Sequence, residues 1–396
     1  MLINNKLSGS TTNRSRGLLR VALAAALAGG QAQVMAGPTF DYGEQGFVTF
    51  TYGLQIWSQY SDYTSATDSG SEYDTFLRRN RITFNGQFND YVGFYTQLEA
   101  GNDSKAGEDN KSVYYRDAYL TLDYNDELRF IAGRFKNTFS RENLEACLEP
   151  LTLDRSELSY TPFGGSRDTG LAMWGNLADA AFQYRLMVAD GREGDELVKD
   201  SPRFTARVHW SPLDAEYDYG YRGTYLGTRK VFTLGAAYDY QADVAYGDYP
   251  NRKNPKDYKA WTVDAFVEYP SSIGTLTGSG AIFDYSTDSA ILEAPDPDLP
   301  LNSELEGYYV KAGYLLPKPL GIGRLQFFAR HEKRDYIYPG NMYDNTWNSI
   351  GANYYIDGQQ LKVTFEYADI DFDVEDSNNN SLKDQNQATL ALQLIF

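Results

Sequence analysis

The chain ends in QATLALQLIF (residues 387–396), and this stretch decides the fold. Large apolar residues alternate there with small or polar ones: Leu390, Leu392, Leu394 and Phe396. Successive side chains of a β-strand point to opposite faces, so the stretch predicts a strand with one apolar face. An ordinary buried edge strand would explain the alternation, but it would not explain why a chain of mean hydropathy −0.52 finishes on an aromatic residue.

The same two-residue period recurs along most of the sequence. In residues 203–210, Phe204, Val208 and Trp210 alternate with arginine, threonine and histidine. The 33 tyrosines and 21 phenylalanines suit strands and membrane interfaces better than helices. Sixteen strands are predicted, over 46–60, 73–88, 91–103, 112–125, 128–137, 167–175, 180–190, 202–211, 229–241, 258–270, 275–287, 304–317, 322–335, 345–357, 359–372 and 385–396.

The connections separate a membrane barrel from a soluble sandwich, which also alternates. Short turns such as Asn89-Asp90 and Asp126-Glu127 alternate with long polar loops such as 242–257 and 373–384. That pattern, with an even number of strands, is typical of outer-membrane barrels, which must close because lipid cannot satisfy an open sheet edge. We therefore predict an all-β, 16-stranded antiparallel transmembrane β-barrel. Only the connection 212–228, with seventeen residues where a short turn belongs, breaks the rule.

The first 36 residues read as a secretory signal peptide. Lys6, Arg14, Arg16 and Arg20 form a basic region that leads into the short apolar run LLRVALAAALAGG, and Val34-Met35-Ala36 is typical of a cleavage site. A membrane anchor would need about 20 apolar residues. We assign 1–36 to the signal and 37–396 to the barrel.

Composition excludes several function classes. Removing the four basic residues of the signal leaves 32 basic against 54 acidic residues, a formal charge of −22 that argues against nucleic-acid partners. The single cysteine, Cys147, excludes an internal disulfide framework, and two histidines, His209 and His331, offer little for catalysis or zinc. We predict no enzyme activity, no metal and no cofactor.

The longest inter-strand segment, 138–166, follows the fifth predicted strand. Long loops without strands of their own are usually functional, and in general porins the corresponding loop folds into the lumen and narrows it. We predict that 138–166 is a constriction loop folded into the lumen, with an external flap as the alternative. Its acidic side chains include Glu142, Glu145, Glu149 and Asp154.

Alternation also assigns the residues that face the lumen. Arginine residues along the wall could bind phosphate or carboxylate groups, because the planar guanidinium group donates two parallel hydrogen bonds. The alternative is that these basic residues form ion pairs with acidic residues on neighbouring strands and only solvate the wall. The predicted basic track comprises Arg79, Arg81, Arg129, Arg185 and Arg207, which alternation places on the inner face, together with Arg134 and Lys136 just before 138–166 and Arg141 within it.

Five stretches in series resemble the phosphate-selective porin O/P family: FLRRNRITFNGQFNDYVGFYTQLE (76–99), YYRDAYLTLDY (114–124), AGRFKNTFSRENL (132–144), SRDTGLAMWG (166–175) and PRFTARVHWSP (202–212). The resemblance covers the first half of the mature chain. It implies an outer-membrane channel of a Gram-negative bacterium, usually trimeric, with an arginine ladder leading to a basic constriction. Arg134 and Lys136 are among the positions that match the basic motifs, whereas the acidic 138–166 loop departs from a tight phosphate site.

The sequence leaves two functions open. The leading one is passive diffusion of small hydrophilic solutes, including anions such as phosphate. The alternative is a barrel sheath around a multihaem cytochrome in an electron-transfer conduit. In either case the expected partners are outer-membrane lipid, lipopolysaccharide and the barrel assembly machinery, which would read the C-terminal strand.

Overall fold

A computed structural model describes residues 37–62, 70–100, 112–159, 166–193, 197, 199–292, 304–338, 344–373 and 383–396. The predicted signal peptide therefore lies outside the described residues. Seventeen strands form one antiparallel sheet: β1 Thr39–Tyr42, β2 Gly46–Ser61, β3 Glu72–Gln87, β4 Val92–Ala100, β5 Val113–Asn125, β6 Leu128–Lys136, β7 Arg167–Leu177, β8 Phe182–Ala189, β9 Arg203–Trp210, β10 Val231–Asp248, β11 Lys253–Ser271, β12 Gly274–Ser286, β13 Glu304–Leu315, β14 Arg324–Tyr338, β15 Asn345–Asp357, β16 Leu361–Phe372 and β17 Gln385–Ile395.

Sixteen of these strands, β2–β17, close into a barrel. Each strand pairs with its neighbour in sequence, and β17 pairs with β2 in the register Gln387↔Ser61 to Ile395↔Gly53. The C-terminal stretch is thus the closing strand. The short β1 pairs with the first residues of β2, beyond the end of β17. The predicted all-β class and sixteen-stranded antiparallel barrel are confirmed, and β1 is an addition that the sequence pattern did not reveal.

Burial alternates along the strands as the pattern predicted. In β9 the polar residues Arg203, Arg207 and His209 are buried, whereas Phe204 and Val208 are exposed. The outer face of the barrel therefore carries the apolar side chains, and the polar ones face inward. Among the described residues, no helix is both long and apolar enough to cross a membrane.

Two connections differ from the predicted strand boundaries. The region 242–257 was predicted as a long loop, but β10 and β11 continue to Asp248 and from Lys253, so only a four-residue turn joins them. Their pairing extends through a register shift between Gln241 and Ala245, which alternation alone does not reveal. The second difference is the connection between β9 and β10, residues 211–230. Its ends are exposed but its middle, around Tyr219 and Tyr221, is buried.

Candidate functional site: two segments inserted between the strands

The segment that follows β6, residues 137–159, is called the loop insert here. It begins with a short helix, Arg141–Leu144, which Ser140 caps by accepting a hydrogen bond from the backbone N–H of Asn143. Nearly every side chain of the segment is buried, including Leu144, Leu151 and Leu158. The rest of the predicted 138–166 loop, residues 160–165, lies outside the described part of the chain.

The loop insert contacts strands on opposite sides of the ring. Asp154 accepts hydrogen bonds from Arg78 and Arg79 of β3, each at 2.8 Å. The backbone N–H of Arg141 donates to Asp264 of β11 over 3.2 Å. Because β3 and β11 lie half a ring apart in the closed order of strands, the segment extends across the space that the barrel encloses.

Further wall contacts fix the path between these two ends. Glu142 is paired with Lys311 of β13, and three side chains bind loop-insert carbonyl oxygens. These bonds run from Asn353 to Leu151 (2.8 Å), from Lys362 to Leu148 (3.2 Å) and from Gln393 to Leu148 (2.9 Å). Since buried backbone carbonyls need partners, these side chains specify one course for the backbone.

Glycines in the wall make room for leucines of the loop insert. A Cβ atom at Gly53 would lie 2.8 Å from Leu148 Cδ1, and one at Gly313 would lie 2.6 Å from Leu151 Cδ1. Phe139 packs against Phe283 and Tyr285, with ring centroids 6.3 and 5.7 Å apart. Part of the barrel interior is therefore a packed core and not open space.

The connection between β9 and β10, residues 211–230, is called the turn insert here. It enters from the opposite end of the barrel, where the other connections are short. Glu268 of β11 anchors its returning arm by accepting hydrogen bonds from the backbone N–H groups of Tyr225 (2.8 Å) and Gly227 (2.7 Å). Gly227 has φ +76°, which glycine adopts without strain.

Tyr221 lies at the centre of the turn insert. Its hydroxyl receives a hydrogen bond from Arg185 Nη1 over 2.5 Å and contacts His209 Nδ1 at 2.7 Å. The guanidinium carbons of Arg141 and Arg185 lie 4.6 and 4.7 Å from its ring centroid. Tyr221 therefore links guanidinium groups from the loop insert and from the wall through cation–π contacts.

The two inserts meet inside the barrel. Their backbones pair through Ala146 N–H to the Tyr221 carbonyl (2.9 Å) and Gly223 N–H to the Glu149 carbonyl (3.1 Å). Arg141 donates two hydrogen bonds to Glu216, at 2.6 and 2.8 Å, and both side chains are buried. The inserts thus share backbone pairing and a bidentate ion pair.

Seven of the eight residues predicted for the basic track are buried, and each of the seven has an acidic or polar partner. The pairs are Arg79 with Asp154, Arg81 with Glu99, Arg129 with Asp123 and Asp126, Lys136 with the carbonyls of Leu144 and Glu145, Arg141 with Glu216, Arg185 with Tyr221 and the Tyr219 carbonyl, and Arg207 with Asp264. Five of the seven are thus paired with carboxylates, and Lys136 and Arg185 with hydroxyl or carbonyl oxygens.

Arg134 is the exception, and its assignment to the lumen is wrong. It is exposed, and it is paired in register with Ala118 of β5 and Thr169 of β7 on the outer face. The inward positions of β6 are Arg129 and Ile131, so strict alternation already places residue 134 outside. The motif match alone had assigned it inward.

The four predicted acids of the loop insert all have basic partners among the described residues: Glu142 with Lys311, Glu145 with Arg141, Glu149 with Arg222 and Asp154 with Arg78 and Arg79. Burial alone would raise the pKa of Asp154, but Arg79 and Arg78 hold it well below its ordinary value. Burial raises the pKa of Glu145 to about 7 against the opposing effect of Arg141. Asp154 and Glu145 therefore differ in how strongly their surroundings favour the charged form.

An acidic cluster lies at the rim where the long loops are. Carboxylate oxygens of Asp335, Asp344 and Asp373 lie within 4.8 Å of one another. Lys333 reaches this cluster, with Nζ 2.8 Å from Asp373 and 3.5 Å from Asp335. The ammonium group of Lys333 therefore balances part of the negative charge of this cluster.

The turn insert is the part of the site that sequence reasoning missed. Its residues Glu216 and Tyr221 belong to no alternating strand, and its anchor Glu268 lies on a different strand, β11. One signal was present, since 212–228 was too long for a short turn and is rich in tyrosine. Length alone did not reveal that the segment turns inward.

Comparisons with known proteins agree with this architecture. A protein of Aquifex aeolicus (strain VF5), described as uncharacterized, is 24% identical over 375 residues, which span 84% of this chain and 83% of that protein. The anion-selective porin from Comamonas acidovorans has a TM-score of 0.58 at 12% identity, covering 89% of this chain and 100% of that chain. The in-vitro folded, trimer form of the Vibrio cholerae outer membrane protein OmpT has a TM-score of 0.55 at 10% identity, covering 89% of this chain and 100% of that chain.

At such low identity the two structures show a shared fold and nothing more. The family model of phosphate-selective porin O and P matches residues 50–227, a region that runs from β2 to near the end of the turn insert. This region contains the loop insert, most of the turn insert and all five stretches on which the resemblance was based. The resemblance predicted from the sequence is thus confirmed, and residues 50–227 of this sixteen-stranded barrel match the phosphate-selective porin O and P family.

Proposed function

We propose that the protein is an outer-membrane porin that passes small hydrophilic solutes by passive diffusion. The observation that carries the proposal is a closed barrel with an apolar outer face and a polar inner face. Such a barrel suits lipid, because it leaves no sheet edge unpaired and exposes apolar side chains. The match of residues 50–227 to a porin family supports the same function.

In this proposal the protein acts in the outer membrane of a Gram-negative bacterium. Residues 1–36 direct export, and the barrel assembly machinery reads the closing strand that ends at Phe396. The outer apolar face contacts lipid and lipopolysaccharide. We propose a homotrimer, in keeping with the trimer form described for the similar OmpT.

The two inserts set the constriction in this proposal. The loop insert extends across the barrel, and the turn insert supports it from the other end through Glu216 and Tyr221. A multihaem cytochrome threaded through the barrel would have to displace both segments. The packing inside the barrel therefore favours a porin over a sheath.

We propose weak ion selectivity for the resting channel. The buried basic residues predicted for an anion track are already paired with carboxylates, hydroxyls or carbonyl oxygens, so they attract anions less than free guanidinium groups would. Strong selectivity for phosphate would require some of these pairs to open. Asp154 is the acid best placed to control this, because it binds both Arg78 and Arg79.

The test is the reversal potential of the purified, refolded protein in a planar bilayer under a KCl gradient, repeated with phosphate. We expect conductance with a small reversal potential and little block of chloride current by phosphate. A large anion-selective potential with phosphate block would establish the phosphate-selective alternative in place of weak selectivity. Absence of any conductance would overturn the porin proposal.

The substitution Asp154→Asn sharpens this test. It removes the carboxylate charge from Arg78 and Arg79, so the reversal potential should shift towards anion selectivity. Asp288→Asn is the matched control, because Asp288 forms an exposed pair with Lys259 (3.5 Å) outside the barrel interior. An equal shift in both variants would show that Asp154 has no special control of the pathway.

A further inference from the structure

A cavity of about 230 Å³ lies at the long-loop end of the barrel, beside the loop insert. Its wall side comes from inward-facing residues of β2, β3 and β14–β17. Three aromatic side chains line it, Trp57, Phe76 and Trp347, and three uncharged polar ones, Gln59, Gln387 and Thr389. A solute that comes from this end meets the cavity before it reaches the contact between the inserts.

The charges around the cavity cancel. Arg78, Arg155 and Arg330 face Asp154, Glu157 and Glu366. The pair between Arg78 and Asp154 is closed at 2.8 Å, and Arg330 is paired with Glu332 just outside the lining. A phosphate ion would need an excess of positive charge, which this lining does not provide.

Two buried hydrogen-bond donors in the lining have no acceptor. Among the described residues, neither Trp57 Nε1 nor Trp347 Nε1 has a hydrogen-bond partner. The guanidinium carbons of Arg78 and Arg330 lie 5.2 and 4.8 Å from these two rings. Because a buried donor without an acceptor is unfavourable, a solute that brings oxygen atoms to the indole N–H groups gains affinity.

We propose that this cavity binds a neutral, hydroxyl-bearing ring solute of about the size of a monosaccharide. A hydroxyl both donates and accepts, so it can bind the indole N–H groups, the amides of Gln59 and Gln387 and the carboxylates alike. Aromatic rings cover the less polar faces of such a ring. The cavity is smaller than the roughly 300–1,000 Å³ of drug-sized pockets, which limits the solute to one small ring.

This inference rests on the proposed porin function and names a class of solute for it. It assigns the first binding step, at the long-loop end, to Trp57 and Trp347. Basic side chains play only a supporting part here, through Arg78 and Arg330 against the two indole rings.

The test is equilibrium binding of glucose to the folded, full-length protein in detergent, by isothermal titration calorimetry, with inorganic phosphate as the comparison. The variants are Trp57→Phe and Trp347→Phe, which keep a ring but remove the N–H donor. Trp261→Phe is the matched control, because Trp261 is exposed on the outer face of β11. Circular dichroism of each variant verifies that the barrel has folded.

We expect saturable glucose binding that either cavity variant weakens about fivefold, as the loss of one hydrogen bond implies. Trp261→Phe should bind as the unmodified protein does, and phosphate should not compete. Lack of glucose binding, an equal loss in all three variants, or displacement by phosphate would overturn the inference. Conductance measured on the same preparation keeps the porin proposal separate, since a protein that conducts but binds no glucose contradicts only this inference.

Discussion

The two inserts enter the same barrel from opposite ends and are held in different ways. The loop insert is bound to both sides of the ring, through Asp154 at β3 and the backbone of Arg141 at β11. The turn insert is bound on one face to β8 and β11, through Arg185 and Glu268, and on the other to the loop insert. The loop insert is therefore anchored on opposite sides of the wall, whereas the turn insert divides its contacts between the wall and the loop insert.

This difference shows how a barrel can fill its interior without a separate plug domain. The wall provides glycine gaps and side-chain donors for the first segment, and the first segment then provides a surface for the second. Each added segment buries polar groups that the other satisfies, which is required because an unpaired buried group is costly. Substitutions at the contact between the inserts therefore test this difference most directly.

The largest effect is expected from Arg141→Ala. This substitution leaves Glu216 buried without its bidentate partner, and loss of one partner of a buried ion pair costs about 3–5 kcal/mol. We expect the free energy of unfolding, measured by urea titration in detergent, to fall by about that amount. Lys259→Ala, which breaks an exposed pair, should cost at most about 1 kcal/mol. Similar losses in both variants would contradict the assigned contact.

A second test uses pH and Glu145, whose backbone is bridged to Tyr221 of the turn insert. Because its folded-state pKa of about 7 is above its ordinary value of 4.5, its contribution to stability is complete below pH 4.5 and is lost as the pH rises through 7. Stability should therefore fall between pH 5 and pH 8, and Glu145→Gln should reduce that fall by up to about 3 kcal/mol. Urea titrations at the two pH values measure the difference.

The exposed carboxylate of Glu127 provides the control for this pH test. Glu127→Gln should leave the fall between pH 5 and pH 8 as it is in the unmodified protein. If Glu145→Gln behaves in the same way as Glu127→Gln, burial at the contact does not govern the titration of Glu145.

The smallest of these effects is expected from Gly223→Ala. A Cβ atom there would lie 2.5 Å from the backbone nitrogen of Leu151, so the two inserts must move apart. Overpacking of this kind costs about 1–3 kcal/mol, and we expect a lower midpoint of thermal unfolding by circular dichroism. Gly280→Ala in β12, where the nearest atom would be 3.2 Å away, should lower it less. The reverse order would show that the inserts are not closely packed at Gly223.

Most of the barrel could be predicted from the sequence, because a two-residue period fixes which face each side chain takes. The closing strand ending at Phe396 and the inward placement of Arg79 and Arg207 follow from that rule alone. Arg134 was misplaced because a motif match took precedence over the same rule. The role of 138–166 as a constriction remains a prediction.

The partners of the inward charges could not be predicted in the same way. Alternation gives the face of a residue but not its height in the barrel or its neighbour across the interior. The pairing of Arg141 with Glu216 joins two segments that have no period at all. The only sequence signal of the turn insert was the unusual length of the connection 212–228. Its contacts could not be predicted, because contacts between irregular segments depend on the complete fold.

The decisive measurement is the single-channel conductance of three proteins in planar bilayers: the unmodified chain, a variant in which 141–158 is replaced by a short glycine-serine linker, and a variant in which 212–229 is replaced by a four-residue turn. We expect both variants to conduct more, and trimming the loop insert to have the larger effect because the turn insert then loses its support. Unchanged conductance in both variants, or a larger increase from trimming the turn insert, would contradict the proposal that the two inserts form the constriction.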